Sequence, residues 1–88
     1  MGDPISIFLE DMLAGFIRNP AAMHITSTVS DEEYHYEITT TDDHDKAILI
    51  GKRGVMSEAI RTICYAVFKK PSNDYDTTKR LRIFVSPK

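Results

Sequence analysis

The fold is decided by the stretch Ile48-Leu49-Ile50-Gly51-Lys52-Arg53-Gly54, an apolar run interrupted by two glycines three positions apart. The glycines allow a tight backbone turn and leave no side chain in the way of an approaching group. Lys52 and Arg53 project from that turn, and a helical apolar pattern starts directly behind it. Because the N–H groups at a helix start attract anions, this stretch predicts a loop that suits the backbone of a polyanion.

Two helices are predicted on either side of this loop, over residues 43–50 and 54–69. The helix over residues 43–50 is predicted to start there because residues that can cap a helix precede it and acidic residues occupy its first turn. Gly51 ends it. Pro71 ends the second helix, and a polar loop follows it. The apolar spacing predicts that the buried stripe of the second helix consists of Met56, Ala59, Ile60, Ile63, Ala66 and Val67.

The pattern of apolar residues in the rest of the chain predicts one more helix and three strands. Residues 4–18 begin with Asp-Pro and keep the three/four apolar spacing of a helix. Residues 23–30 and 34–41 alternate and are joined by a tight charged connection, which predicts an antiparallel hairpin, and residues 80–86 form the last strand. The two helices between the second and third strands form a crossover, so those strands should be parallel. The expected α+β fold is α-β-β-α-α-β, a three-stranded mixed sheet with three helices on one face, in a single domain over residues 1–88.

Length and composition bound the class of protein. The chain has 88 residues, 42% of them hydrophobic and 27% charged, and no apolar run approaches the ~18 residues of a membrane span. Acids near the N-terminus argue against an export signal, which would carry positive charge. Cys64 is the single cysteine and falls within a helical apolar pattern, which suits a reducing compartment. We therefore expect a cytoplasmic protein with no membrane segment.

Charge is divided between the two halves of the chain. The formal net charge is −2, yet residues 1–45 carry −9 and residues 46–88 carry +7. Local potential matters more than total charge for docking a phosphate backbone. Because the glycine loop opens the basic half, the charge pattern favours a polyanionic partner at that loop.

The order of elements around the loop resembles a KH domain of type II, the prokaryotic arrangement. A glycine pair alone is weak evidence, but apolar-apolar-Gly-basic-basic-Gly between two short helices is much more specific. The match is closest over Lys46–Gly54, Ser57 and Ala59–Ile63, which look like the small bacterial single-KH RNA-binding proteins (KhpA-like), the partners of Jag-type proteins. The resemblance implies a single-stranded RNA-binding protein that acts as a post-transcriptional regulator or RNA chaperone. It also implies a homodimer or a heterodimer with a Jag-type KH protein.

The resemblance also implies which residues bind RNA. The loop would clamp the sugar–phosphate backbone of about four nucleotides, and apolar side chains beside it would form a groove for the bases. The residues so implied are Gly51, Lys52, Arg53 and Gly54 in the loop, Ile48, Ile50 and Ile60 in the groove, and Arg61 on the second helix. Secondary candidates are Lys69, Arg80, Arg82 and Ile83.

The chain departs from the family pattern in two places. Arg53 stands where a polar residue such as Gln is common, and this should strengthen contact with phosphate. The loop over residues 70–78 is longer than expected and carries Asp74 and Asp76, which would repel RNA if they overhung the groove.

Other classes of function receive less support. No nucleophile–base arrangement or nucleotide-binding P-loop is recognisable, so we expect no enzyme, no cofactor and no small-molecule substrate. His24, His35, His44 and Cys64 match no zinc spacing, and we expect no metal site. The competing interpretation is a KH-fold protein–protein module that dimerises through outward Phe84, Tyr65 and Tyr34 or Tyr36. Lys52 and Arg53 distinguish RNA binding from this alternative, because a pure interaction module has no need for two cations in the loop.

Overall fold

Six helices and strands make up the described part of the chain. The computed structural model describes residues 3–86, and the two outermost residues at each end of the predicted 1–88 domain lie outside that range. The elements are α1 (Pro4–Ala14), β1 (Met23–Val29), β2 (Glu33–Thr40), α2 (Asp43–Ile50), α3 (Val55–Lys69) and β3 (Arg80–Val85). Short 3₁₀ turns lie between them at Pro20–Ala22, Lys52–Gly54 and Pro71–Asn73.

The sheet has the mixed topology that the element order predicts. β1 pairs antiparallel with β2, and β2 pairs parallel with β3, so the strand order is β1-β2-β3. The register places Ile25 beside Ile38 and Tyr36 beside Ile83, which collects apolar side chains on one face of the sheet. The three helices pack on that face, and the predicted fold class is confirmed. Among residues 3–86, no helix is long and apolar enough to cross a bilayer.

The buried stripe of α3 differs from the predicted one. Ile60, Cys64 and Phe68, spaced four residues apart, are buried. Ile63, which was predicted to be buried, is 44% exposed, and both predicted alanines are also exposed. The helix is therefore rotated away from the expected orientation, so that part of its apolar surface faces solvent.

The aromatic ring of Phe68 explains this rotation. Its centroid lies 5.6 Å from that of Tyr34 and 5.5 Å from that of Tyr75, so the C-terminal end of α3 sits on an aromatic cluster. The hydroxyl of Tyr75 accepts the Ile5 N–H at 2.8 Å, and the hydroxyl of Tyr34 accepts the Asp76 N–H at 3.0 Å. Burial of a large aromatic side chain outweighs burial of alanines, so Phe68 decides which side of α3 faces inward.

The same contacts hold the 70–78 loop at the C-terminal end of α3. The glycine loop lies at the opposite end of that helix, which has 15 residues. At 1.5 Å per residue the two loops are separated by about 22 Å. Asp74 and Asp76 therefore do not overhang the glycine loop.

Tyr36 is part of the core and cannot belong to a surface for self-association. Its side chain is 1% exposed, and its hydroxyl donates a hydrogen bond to the Asp3 carboxylate at the start of α1. Burial raises the pKa of Tyr36, and the adjacent Asp3 raises it further. Of the two tyrosines considered for an interface, Tyr36 is thus excluded.

The first helix ends earlier than predicted. α1 ends at Ala14 instead of residue 18, and Phe16 is 50% exposed while Ile17 is buried. The cause is Asp45 at the start of α2, whose two carboxylate oxygens accept the backbone N–H groups of Arg18 and Asn19 at 3.0 and 2.9 Å. Those two residues cannot continue the helix while their N–H groups point at this carboxylate.

Cys64 is expected to be unreactive until the protein unfolds. The thiol is fully buried, and burial raises its pKa to about 12, so very little thiolate forms near neutral pH. A chromogenic disulfide reagent should label less than about 10% of the thiol in native protein on the timescale of minutes, and all of it in denaturant. Rapid labelling of the native protein would contradict this burial.

Candidate nucleic-acid interface

Three left-handed residues form the loop between α2 and α3. Gly51, Arg53 and Gly54 have φ values of 74°, 59° and 76°, and the Gly54 N–H closes the turn on the Gly51 carbonyl oxygen at 3.2 Å. Glycine adopts these angles freely, whereas Arg53 does so at an energetic cost of about 1–2 kcal/mol. The resulting turn is tight and brings the loop backbone to the surface at the start of α3.

The two glycines are required for different reasons. A Cβ atom on Gly51 would lie 2.6 Å from both the backbone nitrogen and the Cβ of Met56, which is far inside van der Waals contact. A Cβ atom on Gly54 would meet nothing nearer than the Ser57 hydroxyl at 3.7 Å. Gly51 lets the loop pack directly on the first turn of α3, while Gly54 mainly supplies a left-handed backbone.

The start of α3 lies directly behind the loop. Gly54 is the N-cap residue and has no side chain to cap the first turn, and the Ser57 hydroxyl donates to the Gly54 carbonyl oxygen at 3.0 Å. The positive end of the helix dipole therefore faces the loop. Lys52 and Arg53 are exposed, and within residues 3–86 neither side chain takes part in an ion pair or hydrogen bond. Both cations are thus available to an anionic ligand.

An apolar depression of about 350 Å³ lies beside the loop, between α2 and α3. The Val55 side chain, which lines it, is 67% exposed. The residues lining it are Ile48, Gly51, Lys52, Val55, Met56 and Ala59. Ile48, Gly51 and Lys52 were predicted for the site, and the structure brings these three together.

A second depression, of about 290 Å³, lies on the other flank of α3, against β3. It is lined by Arg61, Thr62, Tyr65, Leu81 and Ile83. A shallow surface on the exposed crest of α3 connects the two depressions, because it shares Val55 and Ala59 with the first and Thr62 with the second. The predicted residues therefore fall on both sides of α3 rather than in one groove.

Two of the predicted groove residues lie away from these depressions. Ile60 is 2% exposed and packs in the core, and Ile50 is half-buried at the end of α2 without lining either depression. The helical spacing predicts Met56 and Ala59 in the core stripe and gives Val55 no role in the site, although all three line the depression beside the loop. The signal that could have identified Val55 is its position, since it is an apolar residue directly after the second glycine of the loop.

Asp42, His44 and Asp45 lie close enough together to offer three ligand atoms within 4.8 Å of one another. Their carboxylate oxygens, however, already accept hydrogen bonds. Asp42 accepts the Asp45 N–H at 3.0 Å and the Arg18 side chain at 3.3 Å, and Asp45 accepts two backbone N–H groups. The group serves as the N-terminal cap of α2 and as an anchor for the segment after α1.

A glycine loop between two helices, with a parallel strand on each side of the pair, defines a KH domain of the αββααβ type. A family model described as "KhpA/KhpB, KH domain" matches residues 7–84, nearly the whole chain, and the protein belongs to this family. The KH fold is a non-enzymatic RNA-binding fold. Neither the curated proteins nor the solved structures that were compared gave a match.

Proposed function

We propose that this protein binds single-stranded RNA by holding its sugar–phosphate backbone on the Gly51–Gly54 loop. One observation carries the proposal: two unpaired cations project from a left-handed turn at the uncapped start of a 15-residue helix. Phosphate oxygens suit such a site, since the helix end and the cations attract negative charge and glycine allows close contact. RNA is favoured over other polyanions because the family is a KH family.

Bases would lie on the apolar surface beside the loop. Val55, Met56 and Ala59 offer a surface without strong hydrogen-bonding groups, so it accommodates many bases and distinguishes few. Contact led by phosphate typically gives dissociation constants of roughly 10⁻⁴–10⁻⁶ M. A single domain of this kind is therefore a weak RNA binder with modest sequence preference.

The biological role that follows is post-transcriptional regulation or RNA chaperoning in the cytoplasm, in partnership with another KH protein. The description of the matching family names both KhpA and KhpB as carriers of this domain, and the resemblance to the partners of Jag-type proteins supports a KH-domain partner. A second RNA-binding domain, or a second copy, would raise the weak affinity of one domain through multivalency.

Replacement of both loop cations by glutamine is expected to weaken RNA binding and to reduce its salt dependence. Each lost contact with a single-stranded phosphate should flatten the slope of log affinity against log salt by ~0.7, hence by ~1.4 for Lys52→Gln with Arg53→Gln. Affinity near 0.1 M salt should fall roughly tenfold. Fluorescence anisotropy with a labelled single-stranded RNA pool at four or five salt concentrations measures both quantities.

Lys70→Gln with Lys79→Gln is the matched control, because it removes the same charge at the far end of α3. This variant should keep the wild-type slope and most of the affinity. If the slope of log affinity against log salt were the same for wild type and both double variants, the loop would not be part of the RNA-binding site. Circular dichroism should show that each variant keeps the wild-type fold.

The second candidate function is that of a KH-fold interaction module without significant RNA binding. The observation that favours it is the exposed apolar surface on α3, where Ile63 is 44% and Tyr65 is 49% exposed. If the wild-type protein bound no single-stranded RNA in the anisotropy assay but associated with a KH partner, this function would replace the first.

A further inference from the structure

The open face of the sheet carries the side chains that the helices leave uncovered. Ile83 is buried on the helix side, so alternation along β3 puts Arg82 and Phe84 on the open face. The register of the parallel pair places His35 beside Arg82 and Glu37 beside Phe84 on this same face. The helices of residues 3–86 pack on the opposite face. A cation, an aromatic ring and a carboxylate are therefore neighbours on an uncovered surface.

A depression of about 280 Å³ connects this surface with the α3 side of the sheet. It runs around the free edge of β3, because residues from both faces of that strand and one residue of α3 line it. These residues are Arg61, Leu81, Arg82, Ile83 and Phe84. Arg61, Leu81 and Ile83 also line the depression between α3 and β3. The surface that leads away from the glycine loop therefore continues over the edge of β3 and reaches Phe84.

The charges along this path suit a phosphate backbone. Arg61 and Arg82 are exposed, and neither side chain has an ion-pair or hydrogen-bond partner in the part of the chain that the structure describes. Arg61 lies on the α3 side of the β3 edge and Arg82 on the open face. Because phosphate contacts position a strand, the two arginines can hold a single strand while it turns over this edge.

Phe84 offers a ring on which a base can stack. Its centroid lies 5.0 Å from that of His35, with an angle of 80° between the two ring planes. This edge-to-face contact fixes the orientation of both rings. Stacking on an aromatic side chain accepts every base, because each base has a π-face. Phe84 by itself therefore holds a base without identifying it.

Glu37 supplies the selection that stacking lacks. Its side chain is half-buried, and within residues 3–86 its carboxylate has no hydrogen-bond or ion-pair partner. A carboxylate only accepts hydrogen bonds, and partial burial without a partner is costly, so the position favours an occupant that donates. Guanine presents two adjacent donors, N1–H and N2–H, on its Watson–Crick edge. Each of the other RNA bases puts an acceptor beside its donor, so a bidentate pair with Glu37 selects guanine.

We propose that the open face of the sheet is a guanine-selective subsite for single-stranded RNA, reached over the edge of β3. Phe84 stacks the base, the two carboxylate oxygens of Glu37 accept its N1–H and N2–H groups, and Arg82 contacts the adjoining phosphate. The inference rests on the proposed function, because the strand arrives from the glycine loop. It gives the protein a sequence preference that the apolar surface beside the loop does not supply.

A guanine scan of an RNA that covers the whole path tests the subsite. Fluorescence anisotropy compares an oligouridine of about ten nucleotides with a set in which one uridine at a time is replaced by guanine. In wild type, guanine should raise the affinity about fivefold or more at one position and less than about twofold elsewhere. Adenine or cytosine at that position should give no such gain.

The scan separates failure of the subsite from failure of the proposed function. If oligouridine binds and guanine raises the affinity at no position, the subsite is overturned and the glycine-loop site stands. If none of these RNAs binds, both are overturned. Free GMP at the concentration of the RNA should not displace it, because GMP lacks the strand that crosses the β3 edge. Displacement would make a free nucleotide the ligand and would overturn the inference.

Glu37→Gln and Glu33→Gln separate recognition of the base from the effect of charge. Both remove one negative charge from the same face of β2, but Glu33 lies beside Arg80 in the register and 3.5 Å from a ring nitrogen of His35. Glu37→Gln should lose the guanine preference and keep its affinity for oligouridine within about twofold. Glu33→Gln should keep the preference. Its loss in both variants, or in neither, would overturn the role of Glu37.

Phe84→Leu tests the stacking, because it keeps an apolar side chain and removes the ring. It should lower the affinity for the preferred guanine-containing RNA about fivefold or more. Lys52→Gln with Arg53→Gln should instead weaken every RNA of the set and keep the ratio of guanine to uridine. Circular dichroism checks that each variant is folded. An unchanged affinity in Phe84→Leu would overturn the subsite and leave this surface to a protein partner.

Discussion

Gly51→Ala is expected to lower the free energy of unfolding by about 4 kcal/mol. Two independent effects add. The backbone of Gly51, with φ 74° and ψ 168°, lies in a region that is essentially restricted to glycine. The new Cβ would also lie 2.6 Å from the Met56 backbone nitrogen, so the loop or the first turn of α3 would have to move. Since a domain of this size is stable by only about 5–10 kcal/mol, the change removes a large share of the total.

Gly54→Ala is the matched control for this prediction. Its backbone is also left-handed, but the added Cβ has 3.7 Å of space, so only the backbone term of about 1 kcal/mol remains. Urea unfolding followed by circular dichroism measures both variants. Equal losses of stability at the two positions would mean that the packing of Gly51 on Met56 contributes nothing.

Asp45→Ala is expected to lower the melting temperature by roughly 10–20 °C. Asp45 is fully buried, and its carboxylate satisfies the N–H groups of Arg18 and Asn19, which the substitution would leave without an acceptor. The segment between α1 and β1 would lose its attachment to α2. Asp43→Ala removes the same charge from the exposed side of the same helical turn and should shift the melting temperature by only a few degrees.

The same carboxylate makes stability depend on pH in a defined direction. Burial by itself raises the pKa of Asp45, but the N–H groups of Arg18 and Asn19 and the His44 side chain outweigh it, so the net pKa lies below the ordinary 3.8. The contribution is therefore complete above about pH 3.8, the value in the unfolded chain, and is lost as the pH falls through the lower folded value. Acid titration monitored by circular dichroism should show a weaker pH dependence in Asp45→Ala than in wild type. Parallel titration curves would contradict this role.

Most of the architecture follows from local patterns. Alternation over β1, β2 and β3 identified the strands, and the single crossover through α2 and α3 left one topology for them. The glycine loop and its two cations were recognisable because glycine at a left-handed position and charge at an exposed turn are both local requirements. Packing is not local, and the predictions that depended on it were the ones that failed. Ile63 was assigned to the core by its spacing, although the aromatic cluster around Phe68 turns it toward solvent.

By itself the sequence determined the fold class, the position of the glycine loop and the basic half that begins with it. The tertiary structure alone decided that Val55, Met56 and Ala59 line the surface beside that loop and that Ile63 faces solvent. It also decided where α1 ends, because the carboxylate of Asp45 accepts the backbone N–H of Asn19, a residue 26 positions earlier in the chain. Periodicity shows that a helix has an apolar side, but the orientation of that side depends on which partner buries the most surface. That partner is known only once distant parts of the chain have been brought together.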